Sequence, residues 1–176
     1  MQSEHEKRAE AIFIEKQHYR VMSQTGGNKA LLFNDMIKLA SGASVINAKA
    51  QMEKVNQSLS ARKQYIELCK EFSFDLSMTQ AAASTGNEWA DRETEKFSMK
   101  FKRDAENAEQ VYVLLTILFP AEAHNTEGVT LNVSCAEQIY RIDFPLLDDN
   151  KTQMLFDISA PELLALANKD AEIIVA

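Results

Sequence analysis

The chain predicts an α+β fold with its element types segregated: an N-terminal helical bundle of four helices, one of them long, then a small antiparallel sheet carrying a short helix. Three observations predict it. Apolar residues recur at helical spacing as far as Phe119, the period changes to two after Gly128, and only three prolines and five glycines punctuate 176 residues. Such a chain is one ordinary domain, or one domain with an appendage. It is long enough to bury a core without disulfides or metals, because a chain near 150 residues buries about 68–70% of its unfolded surface. The expected division is a helical region over 1–126 and a small acidic strand-rich region over 127–176, packed together as one domain.

The first segment, about Ser3 to Ser23, reads as a helix opened by acidic residues, which suit a helix N-terminus. Ala11, Ile14, His18 and Val21 form an apolar stripe widened by Ile12, Phe13 and Tyr19. Thr25-Gly26-Gly27-Asn28 breaks it. A second helix is predicted from about Lys29 to Val55. There Leu32, Met36, Leu39, Ala43, Ile46 and Ala50 alternate steps of four and three, the a/d pattern of a coiled-coil seam. Small Gly42, Ala43 and Ser44 leave room for a partner helix. The sequence leaves open whether this helix runs on through Asn56-Gln57-Ser58. A further helix covers about Ser60 to Thr79, with Tyr65, Leu68, Cys69, Phe72 and Leu76 as its core face.

After a loop-like stretch over 80–87, a long helix is predicted from Glu88 to about Phe119. Phe97, Phe101, Ala105, Ala108, Tyr112, Leu115 and Phe119 recur at steps of three or four. Its first half is charged, and its last two turns are apolar on nearly every side, which places it at the centre of the core. Pro120 ends it. Beyond Gly128, Val129, Leu131, Val133 and Cys135 alternate with polar residues as a half-buried strand, and Tyr140, Ile142 and Phe144 mark a second that stops at Pro145. The turn cluster Asp148-Asp149-Asn150 leads to a third strand, Gln153 to Ile158. Ser159-Ala160-Pro161-Glu162 has the spacing of a capping box before a short helix, Glu162 to Asn168. The closing AEIIVA reads as either a final strand or a terminal tail.

The net charge of −7 is unevenly spread. Residues 120–176 hold ten acidic side chains against three basic ones, whereas 1–119 hold sixteen of each sign. That argues against direct nucleic-acid binding, which needs clustered Lys and Arg. It fits either a solvated acidic face or an acidic surface that meets a basic partner. Cys69 and Cys135 lack metal-ligand spacing and read as two reduced thiols or as one disulfide. The opening MQSEHEKRAE is polar and charged, unlike a signal peptide. The longest apolar run, Val111 to Phe119, falls far short of the about 20 residues of a spanning helix. No membrane insertion is therefore expected, and the expected location is cytoplasmic.

No motif for catalysis, metal or nucleotide rises above background, so no catalytic residue, metal or cofactor is expected. His18 lies on the apolar stripe of the first helix, and Glu122 with His124 has the types needed for acid–base work but sits in a loop. Asp148 and Asp149 suit a turn. Gly26-Gly27-Asn28-Lys29 lacks phosphate-loop spacing and follows a helix rather than a strand. No Ser, Cys or Thr stands in a nucleophile elbow. Trp89 is of a type enriched at binding hot spots, though packing on the preceding loop also accounts for it. The candidate interaction residues are Leu32, Met36, Leu39, Ala43 and Ile46 on the seam, Trp89, and the acidic Glu137, Asp143, Asp148 and Asp149.

Ala61-Arg62-Lys63-Gln64-Tyr65-Ile66 opens one helix, and Val113-Leu114-Leu115-Thr116-Ile117-Leu118-Phe119-Pro120, followed by Glu122-Ala123-His124, closes another. In this, residues 58–126 resemble small uncharacterised phage and prophage helical proteins. Those often place an aromatic after an Arg at the first helix start and end a leucine-rich stretch in Asn-Pro with an acidic-His tail. Here Phe119-Pro120 stands in place of Asn-Pro, and the transmembrane helices common among those proteins are not seen. The resemblance implies a mobile-element origin and no particular activity.

The function expected is that of a non-enzymatic protein-binding or regulatory protein. Its partner would be another protein with a basic surface, or a second copy forming a homodimer through the seam. The alternatives are a structural or assembly component of the virion type, and an enzyme whose site gathers Glu122, His124 and Asp148.

Overall fold

The computed structural model describes residues 12, 13, 16, 33–73, 75–77, 89, 91–118, 128–145 and 148–176. The chain forms two compact units, Met1–Phe74 with Ala176, and Asp75–Val175. In the first, α1 (Phe33–Ala40), α2 (Ala48–Asn56) and α3 (Leu59–Phe72) pack with α3 against both others. Their core is Phe33, Met36, Leu39, Met52, Val55, Tyr65, Leu68 and Cys69, all buried. The Ser58 hydroxyl caps α3 by accepting from the Ala61 N–H at 3.3 Å, which satisfies one of the donors that every helix start leaves open.

The helix predicted over Lys29 to Val55 is two helices. Gly42 at φ 75° and Asn47 at φ 60° adopt the left-handed conformation that ends or precedes a helix rather than continuing it. The small residues that suggested close helix approach thus make the break. Helix α3 likewise ends at Phe72, short of Thr79, because Asp75–Ser77 is a strand.

The second unit holds two four-stranded antiparallel sheets. Sheet A runs β1 (Asp75–Ser77), β8 (Glu172–Val175), β5 (Val129–Cys135), β6 (Gln138–Phe144). Sheet B runs β2 (Arg92–Glu93), β3 (Phe97–Arg103), β4 (Gln110–Ile117), β7 (Lys151–Asp157). Helix α4 (Pro161–Ala167) lies against β5 and β6. Ala160 holds its N-cap position without a side-chain bond, so the expected capping box from Ser159 does not form.

The predicted bundle followed by a small sheet is therefore overturned. The long helix of Glu88 to Phe119 is β2, β3 and β4. Phe97, Met99 and Phe101 are buried, as are Val111, Val113, Leu115 and Ile117, a period of two. A step of four, as from Phe97 to Phe101, satisfies a strand as well as a helix. The reversal needs neither Gly nor Pro. Asp104 Oδ1 accepts from the Glu106 N–H (2.9 Å) and Asn107 Oδ1 from the Glu109 N–H (3.1 Å), two side-chain-made turns. Branched Val111, Val113, Thr116 and Ile117 then favour the strand. The three strands expected after Gly128 are β5, β6 and β7, but β7 joins the other sheet, and the closing AEIIVA supplies the inner strand β8.

The β5–β6 hairpin turns on Ala136 (φ 47°) and Glu137 (φ 64°), both left-handed and neither Gly nor Asn. A two-residue turn of this hand prefers Asn-Gly, since a left-handed residue with a Cβ costs about 1–2 kcal/mol. Replacing Ala136-Glu137 by Asn-Gly is expected to stabilise the protein by about 1–2 kcal/mol. A thermal melt checks this, and an unchanged or lower midpoint would count against the strain. Among the described residues no helix is long and apolar enough to cross a membrane.

Candidate interaction surface

Sheet B buries one face and leaves the other open. Strand registers place Arg92, Met99, Leu115 and Thr152 in one row of the inner face, and all four are buried. The outer face carries three rows: Ser98, Thr116 and Lys151; Lys100, Leu114 and Gln153; Lys102, Tyr112 and Leu155. Both lysines on β3, and Lys151, Gln153 and Leu155 on β7, are exposed, Leu155 by 40%. The half-buried Tyr112 and Leu114 lie between them. Such an arrangement offers an apolar centre bracketed by cations. At one end of this face lies an open depression of about 580 Å³, bordered by Leu114, Thr116, Pro145, Asp149, Lys151 and Gln153.

Neither Lys100 nor Lys102 is ion-paired among the described residues. Most other cations of this unit are engaged. Arg141 Nε donates to Asp143 Oδ1 at 2.9 Å, and the Arg103 guanidinium stands 5.5 Å from the Trp89 ring centroid. Arg92, with no exposed surface, donates from Nη1 to Ala171 O at 3.2 Å and from Nη2 to Asn168 O. Burial pushes the Arg92 pKa below its ordinary value, and nearby Cys135 opposes that shift. Asn168 Nδ2 in turn reaches the Cys135 sulfur at 3.1 Å. Arg92 thus clamps the loop between α4 and β8.

The sequence-derived candidates scatter. Met36 and Leu39 are fully buried on α1, while Ala43, half-buried, and Ile46, 86% exposed, both lie in the break between α1 and α2, so no continuous seam forms. Leu32 lies outside the described residues, as do His5, His18, Glu122 and His124. Trp89 is half-buried beside Arg103 rather than opening a helix. Glu137 sits in the β5–β6 turn, while Asp143 accepts from Thr130 Oγ1 at 2.7 Å as well as from Arg141. Asp148 and Asp149 alone border the depression. Six residues of strand, about 20 Å, part Glu137 from Asp143, so the acidic residues do not form one patch. Both cysteines are free thiols, Cys69 buried and Cys135 half-buried. Among the described residues no group of three or more His, Cys, Asp or Glu is placed to hold a metal ion.

No protein-family model matches the chain, and neither a curated protein nor a solved structure matches it.

The residues missed by sequence reasoning are Lys100, Lys102 and Leu155. Their signal was present. Phe97-Ser98-Met99-Lys100-Phe101-Lys102 alternates strictly, which sets the lysines on one face of a strand. The charge balance also shifts once the units are known. Residues 1–74 carry 11 basic and 8 acidic side chains, net +3, and residues 75–175 carry 8 and 18, net −10. The open face of sheet B is thus a basic strip on the acidic unit.

Proposed function

We propose that this protein is a non-enzymatic binding protein whose sheet B outer face docks an acidic segment of another protein. The observation that carries the reading is the row in which half-buried Tyr112 lies between exposed Lys102 and Leu155, beside exposed Lys100. An apolar and aromatic centre with unpaired cations is the composition of an interface, where aromatics supply contact area and charges select the partner. Among the described residues, the acidic side chains of 120–176, which suggested a basic partner, form no comparable cluster.

Titration of fluorescent acidic peptides bearing one or two aromatic anchors, against the full chain, tests it. Binding is expected to weaken about tenfold or more in Lys100→Glu/Lys102→Glu and by about 1–3 kcal/mol in Tyr112→Ala. It should also fall as salt rises. Equal affinity in the variants, or a preference for single-stranded nucleic acid over the peptides, would overturn the reading.

A further inference from the structure

We infer that the depression beside the β6–β7 turn is a binding site for a free basic α-amino acid, arginine or lysine. The inference does not depend on the docking role of the outer face, which rests on Lys100 and Lys102 of β3.

Local bonds hold the hollow in shape. Asp149 (φ 49°) and Asn150 (φ 60°) form a two-residue turn, closed by backbone bonds of 2.7 and 2.9 Å between Asp148 and Lys151. Ile117 N–H donates to Asn150 O at 2.8 Å, which ties the turn to β4. Thr152 Oγ1 donates to Pro145 O at 3.1 Å, which ties the incoming chain to β7. The walls are therefore fixed before any ligand arrives, and binding orders little of the protein. The volume, about 580 Å³, falls among those of small-molecule sites, about 300–1,000 Å³.

The charges around the hollow choose the ligand. Asp148, Asp149 and Lys151 all border it and are exposed. Among the described residues none of the three is ion-paired. The bonds between Asp148 and Lys151 join their backbones and leave both side chains to other contacts. As a directly opposed pair they leave the same face of the hairpin, about 5.5 Å apart at Cα. Two opposite charges standing side by side match the ammonium and carboxylate that share one α-carbon.

Asp149 supplies a second carboxylate, so the hollow carries two negative charges and one positive. Arginine or lysine carries two positive and one negative, the complement. Leu114, half-buried, and Pro145 offer an apolar wall for the aliphatic stem, while the cationic head stays at the solvent rim. A neutral side chain would leave one carboxylate unmatched, and an acidic one would add a repulsion. The net charge of −10 on residues 75–175 further draws a cation to this unit. For so small a ligand in an open site, the dissociation constant is expected at about 1 mM.

Amide correlation NMR of the full chain, titrated with arginine to about 20 mM at constant ionic strength, tests the site. Saturable shifts are expected at the amides of Thr116, Asp149, Lys151 and Gln153. Leucine, argininamide and N-acetylarginine each lack one of the three charges and should bind about fivefold more weakly. Lys151→Gln should weaken arginine about fivefold and leave argininamide unchanged, because only the carboxylate meets that lysine. Asp148→Asn/Asp149→Asn should weaken arginine more than about tenfold. Asn tolerates the left-handed conformation at position 149, so this variant keeps the turn. Lys100→Glu/Lys102→Glu should bind arginine no more weakly than the wild type while losing the acidic peptides, so either reading can fail without the other. Shifts that stay linear in concentration, equal affinity for arginine, leucine and argininamide, or an unchanged affinity in the double Asn variant would overturn the proposal.

Discussion

A chain stopped after Ala171 is expected to lose the fold of its strand-rich unit. The deleted strand β8 lies between β1 and β5, with Leu131 opposite Val175, Asn132 opposite Ile174 and Val133 opposite Ile173. Ile173, Ile174 and Val175 have no exposed surface. Removing a fully buried branched side chain costs about 2–4 kcal/mol, so three come to about 6–12 kcal/mol before any ladder bond is counted. That is comparable with the whole stability of an ordinary domain, about 5–15 kcal/mol. Strand β1 would also lose the one strand it pairs with among the described residues. The measurement is near-ultraviolet circular dichroism with a thermal melt. A cooperative transition within a few degrees of wild type would refute the central place of β8. The milder Ile174→Ala is expected to cost about 3 kcal/mol in urea unfolding.

The second large effect is expected at Arg92. Its guanidinium is buried and bonded to two carbonyls, Asn168 O and Ala171 O, across almost 80 residues of chain. Arg92→Ala leaves both carbonyls without that donor and opens a cavity beside Met99, its partner across β2 and β3. A hydrogen bond to a charged group contributes about 1.5–3 kcal/mol, so a loss of about 3–5 kcal/mol is expected. Arg92→Lys should recover less than half of it, because an ammonium lacks the planar fork that reaches two acceptors at once. Hydrogen exchange should report faster opening of Lys169–Ala171 in both variants. Unfolding midpoints equal to wild type in Arg92→Ala would show that the clamp contributes nothing.

How legible this was varies by element. The cap of α3 rests on Ser58, and the Asp149-Asn150 turn on two residues that tolerate the left-handed conformation, so each is a local matter. The hairpin from Phe97 to Ile117 was legible as well but was outweighed. Its apolar residues fit steps of three and four, and no Gly or Pro interrupts Lys102 to Gln110. The open face followed that misreading, since Lys100 and Lys102 counted as the charged half of a helix. The acidity of residues 120–176 is real, yet it spreads over a turn, a ladder position and a second turn, at Glu137, Asp143 and Asp148-Asp149.

The acidic composition and the alternating strands after Gly128 needed no coordinates, because composition and short-range periodicity carry them. Tertiary structure alone decided that β7 leaves its neighbours for sheet B and that β8 enters sheet A beside a strand almost a hundred residues earlier. It also decided which face of sheet B stays open. Pairing between distant strands depends on complementary surfaces that meet only after the chain has closed long loops, and no window of sequence contains both partners. The working surface proposed here belongs to that second kind, being made of residues from β3, β4 and β7 that only the sheet brings together.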